Sequence, residues 1–365
     1  MSEKFERSIL NIDQLVEALP SEERARLRRI FDVSTATGEL LAPKSMYSWI
    51  EAHFGSVEAV LRQRIVKITN LVTWESSLFN ELRARRPIEV LEGGELEEII
   101  RQSEGDPFCK PLLGTAEDTF GRVEGRYSIT ASNIAKCDGF HGLVIFDHHN
   151  PLVFTEEEFY DWVETALVWA ERAHDQNEEF KYPFLLWNCL WRGAASIVHG
   201  HLQMTLSCEM HYAKIECLRR AALAYRSSHG RNYFGDLCRV HRALGLAHEN
   251  RGVHLLAYLT PVREKEALII SERLDDGFKD STFKALRCFR DRLGVTSFNL
   301  AIYMPPLAEA EEDWSGFPVI ARLVDRGHYM TKMADIGAME LYAASVIASD
   351  PFRVIEALAA ELDKV

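Results

Sequence analysis

One order of elements occurs twice along this chain, and it confines the fold more than any single motif. In the first copy, residues 126–130, 142–146, 183–190 and 199–207 carry the apolar and β-branched runs of strands. Between the second and third runs lies a helical period over 155–175, where Phe159, Trp162, Val163, Ala166, Leu167 and Ala170 share one face. The second copy repeats this with strands at 253–259 and 267–271, a helix over 281–293 and a strand over 298–304. A strand with one apolar face must bury it against another layer, so the repeat predicts a duplicated α+β module. No Gly-, Ser- or Pro-rich linker separates the copies, which therefore pack as one body. The division expected is an N-terminal helical extension over 1–64, a first module over 65–215 and a second over 216–365. In the extension, Leu10, Ile12, Leu15, Val16 and Leu19 recur at helical spacing, Pro20 stops the run, Ser21 starts another, and 43–61 reads as helical too. The chain closes with helical pattern over 336–347 and 351–364.

Charge narrows the function classes. With 42 Lys and Arg against 55 Asp and Glu, the net charge is −13, a surface that repels nucleic acid and anionic membranes. A small anion in a local Arg pocket remains compatible with it. The seven cysteines include no CxxC pair and are odd in number, which fits a reducing compartment rather than a disulfide framework. The start of the chain is charged and lacks a signal peptide's apolar stretch, and no apolar run approaches the ~20 residues of a membrane span. A soluble cytoplasmic protein is expected.

The chemistry concentrates between Asn188 and Gln203. If a strand begins at His199, then His199, His201 and Gln203 fall on one face while Leu202 and Met204 point into a core. Ahead of them runs a small-residue loop, Gly193 to Ser196, preceded by Arg192, of the kind that lets backbone N–H groups approach a phosphate. An imidazole is nucleophilic and mostly neutral near pH 7, so one nitrogen can attack phosphorus while the other keeps its proton. Gln203 can hold a phosphoryl oxygen without protonating a leaving group, which suits a covalent intermediate that waits for an acceptor.

With its Gly-Ala-Ala loop, its Ser and His-x-His-x-Gln at this spacing, the segment resembles the galactose-1-phosphate uridylyltransferase-like branch of the histidine-triad superfamily. The resemblance implies that His201 is the nucleophile that becomes nucleotidylated. It implies that Gln203, Ser196 and Asn188 contact phosphoryl oxygens, and that the His199 backbone carbonyl accepts from His201. The stretch from Phe79 to Pro87 is similar to the family's N-terminal Arg-rich motif, which assigns Arg83 and Arg86 to phosphate, in some members across a dimer interface. Asn133 stands in the family's nucleoside-contacting turn, with Ile134 in place of its Asp. Asp106-Pro107-Phe108-Cys109 resembles the family's zinc segment, but the second Cys is Leu112. His149 matches a zinc-binding His, while the family's second-module metal positions are Leu300 and Ile302.

Several departures shape the expectations. Structural zinc takes four ligands, and only Cys109, His149 and His199 remain of the usual set, so no metal and no cofactor are expected. His148 and His149 then read as a surface pair or a hydrogen-bonding unit. Gly200 replaces the family's Pro between the histidines, which predicts a less rigid strand, and Ile134 leaves the base open. Of Trp187 and Trp191, one stacks on a base or both pack in a core.

The expected fold is α+β, two histidine-triad-like modules of antiparallel sheet and helices behind a helical extension. The expected activity is ping-pong nucleotidyl transfer from a nucleoside diphosphate sugar to a sugar 1-phosphate, as a homodimer. Two readings stay open beside it: a phosphorylase that uses inorganic phosphate on a nucleotide sugar or dinucleoside polyphosphate, and a catalytically silent nucleotide-binding protein.

Overall fold

The structure, a computed structural model, describes residues 6–87 and 94–363. Its early strands are β1 (Phe31–Glu39), β2 (Arg62–Asn70) and β3 (Ser76–Phe79). The first module contributes β4 (Ser128–Ser132), β5 (Phe140–Phe146), β6 (Phe180–Asn188) and β7 (His201–Cys208). The second contributes β8 (Ala247–Asn250), β9 (Val253–Ala257), β10 (Glu264–Ser271), β11 (Phe298–Tyr303) and β12 (Val319–Asp325). A last short strand is β13 (Ser345–Ile347).

These strands form two sheets. The larger has nine strands in the order β4-β5-β7-β6-β11-β12-β10-β9-β8, so the two modules join edge to edge where β6 pairs antiparallel with β11. The smaller, β1-β2-β3-β13, is closed by β13 running parallel to β3. The helix Glu156–Gln176 covers one face of the first half. Thr155 caps it by accepting from the Glu158 N–H while Glu158 returns the bond, a reciprocal arrangement that satisfies two otherwise orphaned donors. Its Phe159 and Val163 meet Leu185, Leu202, Leu300 and Ile302 of the sheet. Burying side chains of this size stabilises by roughly 1.5–3 kcal/mol each. The helix Asp276–Asp291 does the same work in the second half, burying Phe278, Phe283, Leu286 and Phe289.

The N-terminal segment differs from its helical expectation. Helices Ile12–Glu17, Ser21–Ile30, Tyr47–Phe54 and Val57–Leu61 are present, but β1 and the start of β2 lie among them. Most of β1 is exposed, so no apolar period marks it; its pairing with all nine residues of β2 holds it extended. Ile9, Ile12, Val16, Leu27 and Ile30 are buried in the main core, so these helices are part of the body. At the other end, the helical pattern over 336–347 resolves into a short helix, Ala338–Tyr342, followed by β13. The helices Ala213–His229 and Tyr233–Leu244 and strands β8 and β12 have no counterpart in the sequence reading. No helix among the described residues is long and apolar enough to cross a membrane.

Candidate active site

The strand β7 begins at His201, not at His199. Leu202, Met204 and Leu206 are buried in the core, which leaves His201, itself buried, and half-buried Gln203 on the opposite face. His201 Nδ1 donates to the His199 backbone oxygen over 2.8 Å. That bond keeps the ring proton on Nδ1 and leaves the Nε2 lone pair free, the tautomer a nucleophile needs. Burial lowers the His201 pKa, opposed by the bond to His199, so the ring is held neutral. Phe108 packs edge-on against it.

Gly200 has a steric reason. A Cβ at this position would stand 2.2 Å from the Phe146 ring, so any side chain collides. Its N–H donates to His149 O over 3.1 Å and its carbonyl accepts from Phe146 N over 3.0 Å, so the turn is tied on both sides. The expectation of a looser strand is corrected by these contacts.

The register of the sheet sets the neighbours. Leu186 of β6 lies opposite Gln203, which places Asn188 beside His201; Asn299 of β11 lies opposite Asn188. The loop that follows holds two non-glycine residues at positive φ, Leu190 (59°) and Ala194 (72°). Such residues cost on the order of 1–3 kcal/mol each and persist where surrounding contacts over-determine them. Here Ala195 N donates to Leu190 O over 3.0 Å, and Leu190 is fully buried. Ser196 is exposed, Arg192 donates to Met333 O over 2.7 Å, and Trp191 donates to Tyr329 O over 3.1 Å. Trp187 sits in the core against Phe146, Trp162 and Phe298. A cleft of about 890 Å³ continues along this face of the sheet past Asn299, Ala301, Tyr303 and Arg322.

Beside β7, His141 of β5 meets Gln203. Its Nδ1 accepts from the Cys137 N–H over 3.2 Å, which leaves the proton on Nε2, 3.1 Å from Gln203 Oε1. Asn133 Nδ2 lies 3.1 Å from the same nitrogen, and Asn133 Oδ1 accepts from Ala135 N. Asn133 thus joins the site's edge, whereas Ile134 is exposed. Arg83 and Arg86 stand elsewhere, in the turn after β3, where Glu340 and Glu264 are the acidic neighbours of Arg83. Neither has a recorded contact with His201, Gln203 or Asn188.

A second cluster lies directly behind His201. Asp106, Cys109, His149 and His199 each place a donor atom within 4.8 Å of the others. Cys109 Sγ is 3.4 Å from His149 Nδ1 and 3.5 Å from His199 Nδ1, and the two Nδ1 atoms are 3.2 Å apart. Asp106 oxygens stand 3.6 Å and 3.8 Å from them. Both rings turn Nε2 outward, His199 to Phe146 O at 2.8 Å and His149 to Ile100 O at 3.1 Å. Carbonyls only accept, and the Ser103 hydroxyl, 2.8 Å from His149 Nε2, gives its own proton to Ile100 O, so both Nδ1 atoms are lone pairs that face each other. Asp106 Oδ1 caps the turn at Phe108, while its Oδ2 is buried without a hydrogen-bond partner. A tetrahedral zinc with bonds of ~2.0 Å to nitrogen and ~2.3 Å to sulfur would separate such donors by ~3.3–3.6 Å. The residues fit that ion. The expectation of no metal counted three donors and read His149 as part of a surface pair or a hydrogen-bonding unit; the structure sets Asp106 beside them as a fourth possible ligand.

No family model and no curated protein matches the sequence. Solved structures do match in fold. An ADP-glucose phosphorylase from Arabidopsis thaliana with bound ADP-glucose superposes with a TM-score of 0.57 at 17% identity, covering 79% of this chain and 95% of that one. A GalT-like protein from Arabidopsis thaliana gives 0.55 at 17% identity, covering 80% and 97%. A uridylyltransferase gives 0.55 at 13% identity, covering 81% and 98%. The chain therefore shares the fold of these proteins, an α+β arrangement in which two strand-and-helix modules join in one nine-stranded sheet.

Proposed function

We propose that this protein is a nucleotidyltransferase that works by double displacement through a covalent nucleotidyl-His201. The observation that carries the reading is the single hydrogen bond from Nδ1 of the buried His201 to the His199 carbonyl, which leaves Nε2 with no protein hydrogen-bond partner. In the first step Nε2 attacks the α-phosphorus of a nucleoside diphosphate sugar. The bond to the bridging oxygen breaks, and sugar 1-phosphate leaves. In the second step a phosphate oxygen of the acceptor attacks the same phosphorus, the N–P bond breaks, and the imidazole is restored. Gln203, Asn188, Ser196 and Arg192 stabilise the charge that grows on the phosphoryl oxygens. Asn133 contacts the nucleoside. The remote Arg83 and Arg86 bind phosphate only if the partner of a homodimer brings them to this site.

Asp106, Cys109, His149 and His199 would hold a zinc ion, which would supply a fixed anchor for the backbone whose carbonyl holds His201. The four side chains then orient the nucleophile without touching substrate.

The acceptor is a sugar 1-phosphate in the leading reading. Likeness to a phosphorylase supports testing inorganic phosphate beside it. Intact-mass spectrometry after incubation with UDP-, ADP- and GDP-sugars tests the intermediate. The expected result is a gain of one nucleoside monophosphate, removed on adding the acceptor. Donor consumption with no adduct at any time would contradict the mechanism.

A further inference from the structure

The site contains a hydrogen-bond chain of fixed sense that originates in the second module. Asn299 Nδ2 donates to Asn188 Oδ1 and to Gly193 O, each over 2.7 Å. Its Oδ1 accepts from Arg326 Nη1. Arg326 in turn donates to both oxygens of Asp335, over 2.6 Å and 3.1 Å. A guanidinium has no acceptor, so Asn299 must turn its oxygen toward Arg326. A backbone carbonyl has no donor, so Gly193 O requires the Asn299 NH2. The same NH2 engages the oxygen of Asn188, and the only part of the Asn188 amide left for a ligand is its NH2. Among the described residues, Asn188 Nδ2 has no protein partner and is not a buried orphan.

We propose that Asn299, held by Arg326 and Asp335, is a positioning residue that aims the Asn188 NH2 at the phosphoryl group and clamps the Gly193 carbonyl. The proposal rests on the reading of His201 as the nucleotidylated residue. A flipped Asn188 would present a carbonyl oxygen to a phosphoryl oxygen gaining negative charge, replacing attraction with repulsion. The second module thus takes part in catalysis without touching substrate. Further ties run the same way: Trp191 donates to Tyr329 O and Arg192 to Met333 O, both on the segment that follows Arg326.

Asn299→Asp is the direct test. The carboxylate keeps the size and the Arg326 partner but cannot donate, so Asn188 turns its NH2 to the carboxylate and its oxygen to the ligand. The rate of nucleotidyl-His201 formation should fall on the order of 10²-fold, the cost of losing one oxyanion donor, with the melting temperature little changed. Asn299→Ala leaves Asn188 free to rotate and should lose less. Asp also sets an oxygen against the Gly193 carbonyl, so a merely structural role predicts that rate and melting temperature fall together in both variants, whereas the positioning role predicts a rate loss in the Asp variant out of proportion to its loss of stability. An Asp variant as fast as the unmodified protein, or faster than the Ala variant, overturns the proposal. A readout free of activity is hydrogen exchange of side-chain NH2 groups in protein labelled with 15N-asparagine. The Asn299 pair should exchange slowly and the Asn188 pair fast; the opposite pattern overturns the proposal. Failure of the unmodified protein to form any adduct would instead count against the reading of His201, whatever the exchange pattern.

Discussion

Two buried histidines, His201 on strand β7 and His241 on the helix Tyr233–Leu244, show how differently a buried imidazole can be wired in this molecule. His201 uses one ring nitrogen, with Nδ1 donating to a backbone oxygen over 2.8 Å, and keeps the other free. His241 uses both: Nδ1 donates to Leu237 O over 2.8 Å, and Nε2 accepts from Leu259 N over 3.3 Å. Tyr258 stacks on that ring and Phe31 meets its edge. The same contrast runs through the halves. The first gathers a histidine with one unpartnered ring nitrogen, the amides of Asn188 and Gln203, and a four-donor cluster. The second fills the corresponding strand with Leu300 and Ile302 against the helix layer. On its other face it sets Arg322 between Glu75 and Glu266, at 2.7 Å and 2.6 Å, so that this guanidinium is paired with two carboxylates. A duplicated fold has divided its labour, and the wiring of each polar group tells which share it has.

That division can be broken experimentally, and the largest effect belongs to the donor cluster. Zinc should bind with a stoichiometry of one per chain, and Asp106→Ala should weaken it by more than about 100-fold, read by competition with a chromophoric chelator. Equal affinity in the variant would remove Asp106 from the ligand set. In the second half, Ile302→Ala should cost about 2–5 kcal/mol in urea unfolding, the usual range for a large-to-small core change, while adduct formation in the cold stays intact. A catalytic defect with no loss of stability would contradict the packing role given to that strand.

The pH dependence of stability sharpens the contrast next. Burial lowers the His241 pKa to about 4, well below that of a free imidazole. Between pH 6.5 and about 4 the unfolded chain therefore binds the extra proton. The stabilisation is complete above 6.5 and is lost as pH falls, up to roughly 3 kcal/mol. Unfolding free energies at pH 7 and 4.5 should show this slope, and His241→Gln should flatten it. The smallest effect is expected at Ile134, which is exposed. Ile134→Asp should change stability by less than about 0.5 kcal/mol and alter only the preference among nucleoside bases, read from relative adduct rates.

Much of the first half was legible in the sequence. Strands with apolar runs and the long helix follow from periodicity, and the alternation after His199 already sets His201 and Gln203 apart from Leu202 and Met204. β1 was not legible, because a strand exposed along most of its length has no hydrophobic period. Asp106 stands in the segment that resembles the zinc motif, yet the donor count took only Cys and His from it. One of its oxygens caps the turn, and only the fold shows that the carboxylate also lies beside two imidazoles. Asn299 and Arg326 were not legible, because their meaning depends on β11 lying beside β6, which sets Asn299 opposite Asn188.

The central claim is that Nε2 of His201 becomes covalently bonded to phosphorus. Trapping the reaction with a nucleotide sugar, digesting it under alkaline conditions that spare a phosphoramidate, and sequencing the modified peptide by tandem mass spectrometry tests that bond directly. The nucleotide should reside on His201 and vanish in His201→Ala. A nucleotide found on any other side chain, or retained after that substitution, would contradict it.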